Sequence, residues 1–384
     1  MKHFFLNADP TLTFHTAQIQ AALDACKETG GEVALSAGEW KIASLRLYSN
    51  TTLRLCAGAH VTASDNWQDY TDWKVPTTLG YAKTPRLVQE WNLPPHYLNS
   101  PITAIEAENV SVIGEEDSWI DGVDCFDPKG EEKFRGPMGM VFCKCRNVTL
   151  EGYTYKNSAN WCHQLDSCTN VVMRNVTVLG GHDGINIHHC VDVLVEDCLF
   201  RTGDDCVAGY NAENVVVRRC KLNTSSSSFR IGAKNLLVED CTFWSPCPYP
   251  HRLTGRHNTL RAFEYYALTE DIVERDSENW LIQNCTFDGL DTLIHYNYGG
   301  NFMHNARPLH DVTFRNLKIS GLKGPSRLRT LPEAPLTATF ENVSISWENG
   351  APAEGMLDAS EDVTLVMKNV HAEGVAADNY VPIP

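Results

Sequence analysis

Val191-Asp192-Val193-Leu194-Val195-Glu196-Asp197-Cys198-Leu199-Phe200 is answered 22 residues on by Glu213-Asn214-Val215-Val216-Val217-Arg218-Arg219-Cys220-Lys221-Leu222. The first copy alternates apolar and polar positions, the pattern of a strand with one buried face. Its opening, an Asn or Asp before an apolar residue, recurs at Asn109, Asn147, Asn170, Asp192, Asn214, Asn235, Asn279 and Asp311. From Asn147 the steps are 23, 22, 22, 21, 44 and 32 residues. The 44-residue step is two repeats, or one repeat with a long loop.

Short strands at this period cannot each bury a face alone, but successive copies can by stacking. The expected fold is all-β: a single-stranded right-handed parallel β-helix, its coils roughly 4.8 Å apart. A leucine-rich horseshoe would show a leucine template, whereas Val, Cys and Phe fill these positions. The Asn or Asp before each strand suits a turn, where it tolerates the left-handed backbone region. The cysteines follow the same period: Cys168 and Cys190 are 22 apart, Cys198, Cys220 and Cys241 are 22 and 21 apart, and Cys285 is 44 further on. They read as reduced, buried thiols in columns. Cys143 and Cys145 do not make the paired spacing of a zinc site.

Working outward, Thr16 to Cys26 carries apolar residues at helical spacing and Gly30-Gly31 closes the segment. A capping helix over about 15–29 is expected at the N-terminal end of the solenoid. Two stretches break the repeat, 64–100 and 244–272, and read as loop insertions walling a binding face. They carry Trp67, Trp73, Trp91 and Trp244. No boundary is visible, so one domain over 1–384 is expected.

Hydrophobic residues are 43% of the 384, enough for a large core. Lys plus Arg is 32 against 48 for Asp plus Glu, a formal net charge of −16. That balance argues against nucleic acid as a partner. No apolar run is long enough to span a membrane. The start lacks the apolar core of a secretory signal, so a cytoplasmic protein is expected. Oligomeric state is not legible.

Three acids stand out in Gly181-His182-Asp183-Gly184 and Gly203-Asp204-Asp205-Cys206. Asp205 follows Asp183 by 22 residues, one column of the repeat. Stacked carboxylates repel, so a purely structural column would avoid them. Hydrolysis of a glycosidic bond needs such a set: one carboxyl protonated to donate to the leaving oxygen, others ionised to activate water. Asp183 shares parity with inward Ile185 and Ile187, so it must occupy the bend before the strand to face solvent. Arg230 can pair with a carboxylate of enzyme or sugar, and His182 can bond a sugar hydroxyl. His163 and His188-His189 lack partners spaced for a metal site, and no metal or cofactor is expected. Glu264 and His295 find no place in this reading.

At these residues the chain resembles glycoside hydrolase family 28, the polygalacturonases and rhamnogalacturonases. The resemblance includes the opening from Thr16 to Leu55 and Asn157-Ser158-Ala159-Asn160-Trp161. The family's Asn-Thr-Asp-Gly becomes Gly181-His182-Asp183-Gly184, and its Gly-Asp-Asp is kept at 203–205. The resemblance implies Asp204 as general acid and Asp183 and Asp205 as the pair that deprotonates water, with inversion. The chain also departs from the pattern. The family's Gly-His-Gly falls on Ser226-Ser227-Ser228, and its Arg-Ile-Lys best matches Arg261-Ala262-Phe263. Its tyrosine is matched by Tyr298. The implied binding residues are therefore Arg261 and Tyr298, beside His182 and Arg230.

The leading expectation is an inverting, exo-acting hydrolase of a pectin-derived or related oligosaccharide. Two alternatives stay open. One is a calcium-assisted polysaccharide lyase on the same architecture. The other is a non-catalytic glycan binder, favoured by the changes at Gly181, Ser227 and Phe263.

Overall fold

The computed structural model describes residues 1–268, 270–299, 307–353 and 355–374. The chain forms two compact units, Met1–Leu199 and Phe200–Pro384. Each is built of coils of a parallel β-helix.

In the first unit, every strand pairs in parallel with its counterpart one coil on. His163–Asp166 pairs with Ile185–His188, and Thr169–Arg174 with Val191–Glu196, with Val171 opposite Val193 and Met173 opposite Val195. Thr154–Lys156 pairs with Thr177–Gly180. Three strands per coil thus form three columns, and their inward residues close a continuous apolar interior.

The turn asparagines behave as the repeat predicts. Asn109, Asn147 and Asn170 adopt φ of 55°, 57° and 56°. Each side-chain amide donates to the carbonyl oxygen of the asparagine one coil earlier, from Asn170 through Asn147 and Asn109 to Asn50, at 2.7–2.8 Å. The geometry that forces the left-handed conformation therefore also builds a hydrogen-bonded ladder outside the core.

The cysteines are free thiols, all buried except the partly exposed Cys56. Cys168, Cys190 and Cys198 each donate Sγ–H to the carbonyl two residues earlier. The backbone N–H of Cys168 lies 3.3 Å from Cys190 Sγ. A thiol suits this column because it is small and apolar yet can satisfy a buried carbonyl.

The expected cap is the helix Thr16–Cys26, which buries Ile19, Ala22, Leu23 and Cys26 on one stripe. It packs against the strands Lys2–Leu6, Gly31–Leu35 and Leu45–Leu47. Lys2–Leu6, which the repeat did not announce, adds a strand beside Gly31–Leu35. Gly30 ends the helix at φ +68°; a Cβ there would come within 2.7 Å of Asn50 O. No described helix is long and apolar enough to cross a membrane.

In the second unit, Ser227–Glu239 pairs with Val207–Arg218 on one side and with Arg261–Tyr265 and Glu278–Gln283 on the other. Asn279 Nδ2 donates to Asn235 Oδ1 at 2.9 Å, so the 44-residue step is one coil. It carries two excursions, 245–260 and 266–277, on either side of Arg261–Tyr265. The interior is a phenylalanine stack: Phe263 lies 5.1 Å from Phe229 and 6.0 Å from Phe314, and Phe243 lies 4.4 Å from Phe287.

Candidate active site

Asp183 in the first unit and Asp205 in the second occupy matching bends, each two residues before a strand. The bend is as expected, but solvent exposure is not: both aspartates are buried. Asn186 Nδ2 donates to Asp183 Oδ2 at 2.9 Å. Asn186 alternates with Ile185 and Ile187 and stands opposite Gln164 in the ladder. Asp183 thus lies on the outer, polar side of its strand. That side is covered in this unit by excursions of the chain. The edge of Tyr97 meets Trp161, whose ring stacks on His188 at 5.6 Å.

His182 is buried beside Asp183. Its ring stacks with Phe134 at 6.1 Å, and its Nε2 lies 3.9 Å from Asp124 Oδ1. The segment 122–137 that brings Phe134 here is not one of the two insertions read from the sequence. Asn160 Nδ2 fastens it by donating to the buried Glu131 at 3.0 Å. His163 is an interior histidine: burial pushes it down to about 4, and its Nε2 lies 3.0 Å from Tyr153 Oη.

In the second unit, Asp204 and Asp205 precede Val207–Arg218. The main-chain oxygen of Asp204 accepts from the hydroxyls of Thr202 and Thr224, which fixes the bend. Asp205 Oδ1 accepts the Ser227 N–H at 3.1 Å, and its Oδ2 accepts Arg230 Nε–H at 3.2 Å. Burial pushes the Asp205 carboxyl up to about 7, Asp204 beside it adds to the rise, and Arg230 opposes it. The Asp205 carboxyl therefore exchanges its proton near neutral pH. The excursion 245–260 brings His251 Nε2 to 3.7 Å from Asp204 Oδ2. Arg256 Nε holds that excursion down by donating to Ser225 O at 2.8 Å.

Ser227, standing where the family's histidine falls, connects this pair to a third carboxylate. Its hydroxyl donates to Glu264 Oε2 at 2.9 Å. Arg261 Nη1 reaches the same oxygen at 3.2 Å, and His295 Nδ1 lies 3.2 Å from Oε1. Arg230, Glu264 and His295 are consecutive rungs of one column. Arg230 also lies over the Tyr266 ring, 5.4 Å from its centroid.

The structure therefore gathers Asp204, Asp205, Arg230 and Arg261 into one network. Tyr298 instead stacks on Tyr296 at 6.4 Å. At the last position of Arg261-Ala262-Phe263 the chain has no cation to offer. Phe263 is fully buried in the aromatic stack, and the polar neighbour is Glu264. A lysine at 263 would be buried among phenylalanines. Sequence reasoning gave Glu264, Ser227 and His295 no role and did not single out His251 or Tyr266. One signal for Glu264 existed, because Ser227 and Arg230 have the same three-residue offset as Arg261 and Glu264.

The sequence profile of the glycosyl hydrolases family 28 matches residues 82–346. The chain belongs to this family. It is thus a glycoside hydrolase by descent, with the β-helix as its scaffold. A probable polygalacturonase of Vitis vinifera is 26% identical over an alignment of 356 residues that covers 83% of this chain and 67% of that protein. Polygalacturonase-2 of Solanum lycopersicum is 27% identical over an alignment of 252 residues that covers 61% of this chain and 51% of the tomato protein. The chain thus spans about two thirds of the grape relative and half of the tomato one. The crystal structure of a hyperthermoactive exopolygalacturonase from Thermotoga maritima superposes with a TM-score of 0.73 at 19% identity, covering 97% of this chain and 92% of that one. That likeness concerns the fold.

Proposed function

We propose that this family 28 member is an inverting hydrolase that cleaves a glycosidic bond of a pectin-derived or related oligosaccharide from the chain end. The observation that carries the reading is the Asp204–Asp205 pair, whose buried member is pushed up to about 7. A carboxyl poised near the working pH can exchange a proton in either direction. Asp205 receives two donors, from Ser227 and Arg230, which suits it to be the carboxylate when substrate is bound. Asp204 is the more exposed of the two, so a leaving oxygen can reach it, and the scheme assigns it the role of acid.

In this scheme Asp204 protonates the leaving oxygen as its bond to the anomeric carbon breaks. Asp205, joined by Asp183 from the preceding repeat, takes a proton from water as the water oxygen bonds that carbon. Attack on the face opposite the leaving group inverts the configuration. The 22-residue step between Asp183 and Asp205 supports adding Asp183 to the set. The placing of His251 against Asp204 by the 245–260 excursion supports a walled, end-cleaving site. The likeness to polygalacturonases of grape and tomato supports a pectic substrate.

The test is hydrolysis of defined pectic and neutral oligosaccharides, with the product's anomeric configuration followed by NMR. The inverted anomer is expected first; a retained anomer sinks the mechanism. The lyase alternative predicts an unsaturated product whose absorbance vanishes with a chelator, and no rise in saturated reducing ends.

A further inference from the structure

The hydrolytic step leaves two buried carboxylates of the second unit unused, Glu264 and Asp271, and Glu264 is the one joined to Asp205 through Ser227. Glu264 is 9% exposed. Burial alone would raise its carboxyl, but the hydrogen bond from His295, the Arg261 charge and the Ser227 hydroxyl outweigh it and hold it below the usual glutamate value. It is an anion across the neutral range. Ser227 spans from it to Asp205, with the N–H on one carboxylate and the hydroxyl on the other. Glu264 is therefore a near neighbour of the proton-transfer pair.

Among the described residues its Oε2 has two donors, Ser227 and Arg261, whereas Oε1 has one partner, His295. A carboxylate oxygen can accept more than one hydrogen bond, so Oε1 has room for another. The way in is marked by its neighbours: the Glu264 side chain is 11% exposed, between Arg261 at 22% and His295 at 30%. Three nearby cations are already engaged. Arg230 is on Asp205, Arg261 is on Glu264, and Arg256 is on Ser225 O and Ser226 Oγ.

We infer that Glu264 is a specificity residue that selects a neutral sugar at the bond being cleaved. Its Oε1 accepts a ring hydroxyl, and its fixed negative charge disfavours the carboxylate of a uronate. This rests on the hydrolase reading. A buried acceptor aimed at a hydroxyl is the kind of group that discriminates strongly, because an ill-matched sugar leaves it unpaired. A uronate would set a further anion against Glu264 and Asp205.

The experiment uses the full chain with aryl α-galactoside, aryl α-galacturonide and aryl α-rhamnoside. The first two differ only at C6, hydroxymethyl against carboxylate. Binding of neutral oligosaccharides and of oligogalacturonate to an Asp204→Asn variant is measured by calorimetry in parallel, so the comparison survives if turnover is slow. The wild type is expected to favour the neutral sugars in kcat/KM and in binding. Glu264→Gln is expected to lower the neutral-to-uronide ratio by about 10- to 100-fold, with partial recovery in Glu264→Asp. A purely structural role would lower both substrates together and leave the ratio alone. An unmoved ratio, or a wild type that prefers the uronide, overturns the inference while leaving the hydrolase reading in place. Failure to bind or cleave any sugar overturns both.

Discussion

Arg230 donates its Nε–H to Asp205 Oδ2 at 3.2 Å, across the 25 residues that separate them. This contact opposes the burial and the neighbouring charge that drive the Asp205 carboxyl upward. Arg230→Gln removes the opposing charge, so Asp205 holds its proton to higher pH. The acidic limb of the pH–rate profile, set by the base, is expected to move up, and kcat/KM at pH 6 to fall about 10-fold or more. An unshifted limb would show that Arg230 does not tune the pair.

Stability should carry the same signature. Asp205 titrates near 3.8 in the unfolded chain and about 7 in the folded protein. Between these values the folded state holds a proton that the unfolded state has lost. The stability that this proton supplies is full below the lower value and disappears as pH rises through the upper one. Its slope is about 1.4 kcal/mol per pH unit at most. Denaturation midpoints from pH 4 to 8 measure it, and Asp205→Asn should flatten the decline. An unchanged slope in that variant would place the titration elsewhere.

Asp204→Asn keeps the main-chain oxygen that accepts from Thr202 and Thr224, and so preserves the bend. Hydrolysis is expected to fall by about 10²- to 10⁴-fold with little change in melting temperature. Full activity would remove the proposed acid.

Phe263→Ala opens a cavity bordered by Phe229, Phe243, Phe287 and Phe314. The expected cost is about 3–5 kcal/mol in denaturant unfolding. Phe263→Lys should be at least as damaging, because it buries a charge in the same stack. A well-tolerated lysine would show that the side chain at 263 can turn outward.

The 14 cysteines are free, and all but Cys56 are buried. A thiol reagent should therefore label Cys56 first in the native protein, slowly, since burial raises that thiol too. The remainder should react only on unfolding. Rapid labelling of several thiols before unfolding would contradict the buried columns.

The β-helix was legible because each coil repeats the same local requirements. An Asx that accepts φ near 55°, an alternation of apolar residues and a small thiol return at a spacing of about one coil. Neighbouring copies then have no other way to bury their faces. The cap over Thr16–Cys26 was legible for the same local reason, a stripe at helical spacing. The bend holding Asp183 and Asp205 followed from parity with the strands after them. Their burial did not, because it depends on excursions folding back, such as the one that sets Tyr97 against Trp161.

Sequence alone thus determined the periodic part of this protein: the coils and the asparagine and cysteine columns. Tertiary structure decided what surrounds the acids in the second unit. The 2.9 Å bond from Ser227 to Glu264 spans 37 residues and depends on how the intervening excursion lets Arg261–Tyr265 return beside Ser227–Glu239. Whether Phe263 or Glu264 faces inward is likewise set by that register. A one-residue slip exchanges the two, and the aromatic stack supplies the burial energy that prevents it.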